Sequence, residues 1–198
     1  MGRTALLREH EPAHTPASSA LAALMCLHAA LLPARTDASG ELSPLTDQDR
    51  SRWDPRLVEE GLALFELSAR GAELTAYHVE AAIAVAHASA RAIEDTDWAR
   101  IVSLYDLSME IAPSPVVALN RAIAIGQRDG AAEGLAALRA LADRGRLERY
   151  PFYPAALAEF ELRVGERDAA REHFRAALTI ARNGAELRYL EKRLLACG

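Results

Sequence analysis

Alanine-rich segments with regularly spaced apolar residues are the feature that most constrains the fold of this chain. In the segment that opens at Trp98, positions Ile101, Leu104, Tyr105 and Ser108 recur three or four residues apart, which is the spacing of one helix face. Alanine is the strongest helix former, and runs of alternating β-branched and aromatic residues, which are typical of strands, are absent. The pattern therefore predicts an all-α protein.

Short polar signals divide the chain into helices. Thr15-Pro16, Asp54-Pro55 and Ser114-Pro115 each place a residue with a capping oxygen before proline, which is favoured at the first position of a helix. Thr75 and Asp97 are further candidate caps. The segments between these starts and the intervening glycines and prolines predict about nine helices joined by short turns.

The spacing of small and large residues indicates a helical repeat. Gly165, Ala170, Phe174 and Ala177 have the small-small-large-small order of a tetratricopeptide repeat, in which small residues let two helices approach and the aromatic ring fills the remaining gap. Two further copies are recognised at the following positions: Tyr105 and Pro113; and Leu135, Leu138 and Leu141. We therefore predict a flexible N-terminal segment, 1–14, and a single helical-repeat domain of antiparallel helix pairs, 15–198.

Charge and cysteine content limit the classes of function. The net charge of -5 argues against direct nucleic-acid binding, which requires clustered basic residues. Cys26 and Cys197 lie far apart and have no metal-ligand spacing, which favours a reduced, cytoplasmic protein without a metal or cofactor. We expect no signal peptide and no apolar run long enough to span a membrane.

The stretch Leu45 to Asp54, LTDQDRSRWD, is an unusually polar segment between apolar helices. Asp47 and Asp49 are spaced like half of a calcium loop, but the glycine and the distal glutamate of such a loop are missing, so we predict no metal there. Trp53 before the Asp54 cap is typical of the anchor of a hydrophobic staple. The loop residues that we single out are Asp47, Gln48, Asp49, Arg50, Trp53 and Asp54.

A second group of polar residues interrupts the apolar helices. Glu80, His87 and Arg91 are spaced to share one helix face, which is either a solvated stripe or one wall of a polar cleft in which His87 titrates. Because a buried charge needs a partner, we expect Glu80 and His87 to converge with Asn120 and Arg121 on one groove beneath the polar loop. The full set of candidate binding residues is His28, His78, Glu80, His87, Tyr105, Asn120 and Arg121.

Several phrases together resemble a known family. The stretch ALAALMCLHAALLPARTDASGELSPLTDQDRSRWD, the phrase TDWARIVSLY and above all PSPVVALNRAIAI are similar to the C-terminal, TPR-like extension of one group of extracytoplasmic-function RNA polymerase sigma factors. The resemblance runs from about Leu21 to the C-terminus, and LTDQDRSRWD resembles the signature loop of that extension. It implies a regulatory module whose partners are the sigma-factor core regions or RNA polymerase, with a small YCII-like protein as a further partner.

Departures from that family leave a second interpretation open. The sigma regions are not among these 198 residues, so we expect either an excised domain or a free-standing relative. Ala29 stands where the family is expected to have aspartate, and Pro154 and Leu157 stand where histidine and arginine are expected. The first hypothesis is a protein-interaction module in transcription regulation. The alternative is a repurposed relative whose helical cleft binds or transforms a small molecule, although no phosphate loop, nucleophile elbow or zinc motif indicates an enzyme.

Overall fold

The computed structural model describes residues 15–37 and 40–198, so the predicted flexible segment 1–14 lies outside the described residues. Nine α-helices and no β-strand occur in this part of the chain, which confirms the all-α prediction. Three short 3-10 turns accompany them, at Leu32–Ala34, Arg50–Arg52 and Arg144–Leu147. The α-helices are α1 Pro16–Ala30, α2 Pro55–Ser68, α3 Ala76–Ala88, α4 Trp98–Ile111, α5 Pro115–Asp129, α6 Ala131–Arg139, α7 Phe152–Val164, α8 Arg167–Ile180 and α9 Gly184–Leu195.

The predicted helix starts are confirmed at the level of single hydrogen bonds. The Thr15 side chain accepts a hydrogen bond from the Ser18 N–H, and the Ser18 hydroxyl accepts one from the Thr15 N–H. Asp54 and Ser114 cap α2 and α5 by accepting hydrogen bonds from amide groups of the first turn, each just before its proline. These caps satisfy amide groups that have no partner inside the helix, so local sequence is enough to fix where each helix begins.

The contacts group the chain into two compact units. The first comprises Met1–Thr36 and Ser43–Ala112, and the second comprises Asp37–Leu42 and Pro113–Gly198. In the first unit, α1 packs on α2 and α3, and α3 packs on α4. In the second unit, each helix from α5 to α9 packs on the next one in the chain. The single domain over 15–198 stays a prediction.

Three of the four residues of the predicted tetratricopeptide-repeat motif in the second unit pack between helices as expected. Ala170, Phe174 and Ala177 are fully buried and pack with Ala158 of α7. Gly165, by contrast, lies in the turn after α7 with φ 88°, and a Cβ there would meet no atom within 4 Å. The close-approach role that we assigned to Gly165 was therefore wrong. Its function is the left-handed turn, and Ala158 is the small residue that packs against α8.

The expectation about membrane-length apolar runs needs correction. The first helix and its 3-10 extension form a 19-residue run, Pro16–Ala34, with mean hydropathy 1.6, which is long and apolar enough to cross a bilayer by length and composition alone. In the first unit α1 packs against α2 and α3. A helix at the core of a globular unit has the same length and composition, so this run is compatible with a core helix as well as with a membrane span.

Candidate functional site

The polar loop is tied to the first unit by one arginine. The Arg50 guanidinium donates to the main-chain oxygens of His87 and Ala90, at 2.8 and 2.7 Å, and to the hydroxyl of Thr96 at 3.0 Å. The two carbonyls lie at the C-terminal end of α3, where backbone oxygens lack helical partners and the helix dipole favours a positive charge. Arg50 therefore caps α3 from a loop that lies almost forty residues earlier in the chain.

The residues of the polar loop also contact one another. The Arg50 guanidinium lies 4.9 Å from the centre of the Trp53 ring, in a cation–π contact. Trp53 is buried, and its indole N–H donates to Gln48, whose amide donates in turn to the carbonyl of Ser43. Asp49 accepts hydrogen bonds from the N–H and hydroxyl of Ser51. The loop is polar because its side chains bind its own backbone and the end of α3.

The two aspartates of the half calcium loop have partners other than a cation. Asp49 caps the 3-10 turn, and the hydrogen bonds from Ser51 lower the pKa of its carboxyl. Asp47 accepts a hydrogen bond from the Thr46 hydroxyl. Across residues 15–37 and 40–198, no group of three or more histidine, cysteine, aspartate and glutamate side chains is placed to hold a metal ion.

Asp54 provides a direct test of the cap at the end of this loop. Its carboxylate accepts from the N–H groups of Arg56 and Leu57 at 2.9 and 3.3 Å. We expect Asp54→Ala to lower the free energy of unfolding by about 1 kcal/mol, the usual contribution of an N-cap. Urea denaturation of the two proteins measures this difference. Asp54→Ser is the matched control and recovers most of the stability, and superimposable curves for Asp54→Ala and the parent contradict the cap.

Among the described histidines of the first unit, His87 has the pKa that departs most from its ordinary value. Its Nδ1 atom is buried and has no hydrogen-bond partner in the described part of the chain, and its ring packs edge-on against Trp98 at 5.3 Å between centroids. Burial, together with the smaller effects of the Arg50 and His28 charges, lowers the pKa of His87 to about 4. The side chain is therefore neutral at pH 7, and its protonation would place a positive charge beside the Arg50 guanidinium.

Four of the candidate binding residues influence one another electrostatically. His28 lies on α1, Glu80 and His87 lie on α3, and Tyr105 lies on α4. Partial burial lowers the pKa of His28 and the charge of Glu80 opposes that shift. Burial, together with the smaller effect of the same Glu80 charge, raises the pKa of Tyr105 to about 12. We call these four residues the α3 polar cluster. Because His28 and Glu80 are exposed, the cluster is open to a partner.

The other candidates lie elsewhere. His78 is buried, and its Nδ1 atom lies 3.2 Å from the Thr75 amide nitrogen and 2.8 Å from the Thr75 hydroxyl, so it belongs to the cap of α3. Asn120 and Arg121 lie half-buried on α5 in the second unit. Their convergence with Glu80 and His87 on one groove stays a prediction. Arg91 does not share the α3 face as expected, because α3 ends at Ala88.

The low pKa of His87 predicts a pH dependence of stability. In the folded state the pKa is about 4, below the ordinary value of 6.5, so the unfolded chain binds more protons between these two pH values. The contribution of His87 to stability is therefore fully present above pH 6.5 and is lost as the pH is lowered through 4. We expect this loss to be about 3 kcal/mol, since each pKa unit corresponds to about 1.4 kcal/mol.

Urea denaturation at several pH values between 4 and 7 measures the effect. His87→Phe keeps an aromatic ring against Trp98 and cannot be protonated, so the variant should lose less stability than the parent on acidification. Because the other titrating groups are common to both proteins, the difference between the two curves isolates His87. Parallel curves over this range contradict the low pKa.

A buried carboxylate that the sequence did not reveal organises the second unit. Glu161 on α7 is only 1% exposed. One of its oxygens accepts from Arg139 at 3.0 Å, and the other lies 2.7 Å from Nδ1 of His173 on α8. Arg139 also pairs with Glu166 at 2.6 Å, and both carboxylates raise the pKa of the guanidinium. The buried charge of Glu161 is therefore compensated by two partners.

Arg139 and His173 border a cleft of about 370 Å³ within the second unit. Its polar lining consists of Arg139, Arg144, Glu148, Tyr153, His173 and Thr179, and its apolar lining consists of Pro154, Leu157, Ala176 and Ile180. Pro154 and Leu157 are the two positions where the sigma-factor resemblance led us to expect polar side chains. No local pattern indicates this cleft, because its residues come from α6, α7, α8 and a 3-10 turn.

Comparison with known proteins gives two matches, and the name of neither states a function. Residues 3–69 match the model of a family of unknown function, DUF6596, and the matched stretch includes α1, the polar loop and α2. An uncharacterized protein of Rhizobium meliloti (strain 1021) is 36% identical over 179 residues, which are 90% of this chain and 42% of the relative. The chain thus spans about two fifths of the relative's length. No solved structure matches. The chain is similar to DUF6596 over its N-terminal third and to a part of a longer protein over most of its length.

Proposed function

We propose that this chain is a protein-interaction module that regulates transcription, in the manner of the C-terminal extension of an extracytoplasmic-function sigma factor. Its partners are the sigma-factor core regions or RNA polymerase, with a small YCII-like protein as a further candidate. The observation that carries the proposal is the α3 polar cluster, because four predicted binding residues from three helices lie within electrostatic reach of one another. They occupy the first unit, which also holds the polar loop.

Two further observations support a module rather than an enzyme. The match to the Rhizobium meliloti protein covers only 42% of that protein, which is the relation expected of a module that occurs within a longer chain. The exposed Glu80 and His28 side chains add hydrogen-bonding groups of opposite character to one surface, which favours a polar, specific contact. The protein works in the cytoplasm under this proposal, because its partners are there.

A binding assay tests the proposal. The labelled chain is titrated with RNA polymerase that carries an extracytoplasmic-function sigma core, and fluorescence anisotropy reports the complex. We expect saturable binding that the double variant His28→Ala, Glu80→Ala weakens at least tenfold. The matched control is Glu172→Ala, an exposed acidic side chain of the second unit. Absence of binding, or equal weakening by the control, overturns the proposal. Duplex DNA alone should give no signal at physiological salt, because the chain carries a net charge of -5.

A second candidate function is the binding of a small molecule. The observation that favours it is the cleft of about 370 Å³ in the second unit, a volume within the range of small-molecule sites. The cleft does not contain the residues that the sequence indicated for a ligand. A ligand in this cleft is compatible with a regulatory module, since a bound metabolite can control a partner surface.

A further inference from the structure

We propose that the cleft of the second unit binds a small organic carboxylate with an aliphatic body. This inference deepens the small-molecule function and does not depend on the proposed contact with the transcription machinery. It rests on three features of the cleft: an arginine that is not held in an ion pair, a histidine whose Nε2 atom has no protein partner, and an apolar part of the lining.

Arg144 supplies a positive charge that is not held in an ion pair, and Glu148 is the one carboxylate among the described residues that line the same cleft. The other arginine of the cleft, Arg139, is held by Glu161 and Glu166. Burial raises the pKa of the Tyr153 phenol, and Arg144, which lies beside its hydroxyl, partly opposes that shift. Within the described residues, no carboxylate lies at ion-pair distance from the Arg144 guanidinium. A guanidinium in this state is suited to a carboxylate, which it can bind through two parallel hydrogen bonds.

His173 supplies a second, oriented polar group. Its Nδ1 atom is engaged by the buried Glu161, which fixes the ring and places the proton on Nδ1. Its only hydrogen bond to another described residue is this one, so Nε2 has no protein partner. Since His173 lines the cleft while Glu161 lies behind it, the Nε2 edge is the part of the ring available to a ligand. With the proton on Nδ1, Nε2 accepts hydrogen bonds, so a water molecule can donate one hydrogen to Nε2 and the other to a ligand carboxylate.

The apolar part of the lining sets the character of the rest of the ligand. Pro154 and Leu157 of α7 and Ala176 and Ile180 of α8 line the cleft. Pro154 and Leu157 are buried, so they belong to the packed core and do not rearrange freely, whereas Ala176 is exposed. A ligand that combines one carboxylate with a branched aliphatic body satisfies both the polar and the apolar parts of the lining. A small anion without a body leaves the apolar part of the lining unfilled, and a neutral amide leaves Arg144 without its counter-charge.

The experiment uses the full chain and 4-methylpentanoate as the probe. Nuclear magnetic resonance follows the ring nitrogens of His173 and the Nε–H group of Arg144 during the titration. We expect saturable shifts at both side chains. Acetate and inorganic phosphate test the apolar body, and 4-methylpentanamide tests the charge. Each of the three should bind at least tenfold more weakly than 4-methylpentanoate.

Matched variants distinguish the site from adventitious binding. Arg144→Gln should weaken binding at least tenfold, while Arg146→Gln, an exposed arginine of the same 3-10 turn that does not line the cleft, should leave it unchanged. Both side chains are exposed, so both variants should fold as the parent does. Absence of saturable shifts, equal binding of phosphate, or equal effects of the two variants overturns the proposal. None of these outcomes bears on the polymerase assay, whose variants lie in the first unit.

Discussion

We expect Gly134→Ala to lower the free energy of unfolding by about 3 kcal/mol, the upper part of the range for overpacking a filled core. An added Cβ at this position of α6 would lie 2.6 Å from the Cα of Gly126 on α5 and 2.7 Å from the ring of Phe160. Cβ atoms do not approach other heavy atoms so closely, so the two helices would have to separate. Phe160 is itself buried, which prevents its ring from moving aside.

The sign of this effect is opposite to the one that helix propensity gives. Alanine in place of glycine inside a helix ordinarily stabilises a protein by about 1 kcal/mol. Gly184→Ala is the matched control, because Gly184 is exposed at the start of α9 and its nearest neighbour is the flexible tip of Arg188 at 3.3 Å. Urea denaturation should show a large loss for Gly134→Ala and no loss for Gly184→Ala. Equal stability of the two variants contradicts the close approach of α5 and α6.

We expect Arg50→Ala to lower the free energy of unfolding by about 2 to 3 kcal/mol. The substitution removes three hydrogen bonds from one guanidinium and leaves the carbonyls of His87 and Ala90 without their donor. It also removes the cation–π contact with Trp53. The loop would then lose its attachment to α3, because these contacts join parts of the chain that are 37 to 46 residues apart.

Two further variants identify the cause of that loss. Arg50→Lys keeps the charge but cannot donate from a planar fork to three acceptors, so it should recover only a part of the stability. Arg52→Ala removes a neighbouring exposed arginine that donates to the main-chain oxygens of Pro33 and Thr36, and it should have a smaller effect. Thermal or urea unfolding measures all three. A loss for Arg52→Ala as large as that for Arg50→Ala contradicts the special role of Arg50.

Local sequence determined the helical class and the positions at which helices begin. Thr15, Asp54 and Ser114 act on amide groups two or three residues away, so the information for each cap lies within one turn. The same holds for the buried repeat residues of α8, because a helix repeats every 3.6 residues and places Ala170, Phe174 and Ala177 on one face. Such features depend on chain geometry alone.

Only the tertiary structure decided how distant polar and small residues meet. The sequence indicated Arg50 as a loop residue but not its reach to the end of α3, and it gave no sign that Glu161 is buried between Arg139 and His173. The close approach of Gly126 and Gly134 likewise exists only in the tertiary structure, because the packing of α5 on α6 brings their backbones together. The physical reason is the same in each case. Burial and pairing are set by which helix faces meet, and residue spacing within one helix does not specify the neighbour on the other side.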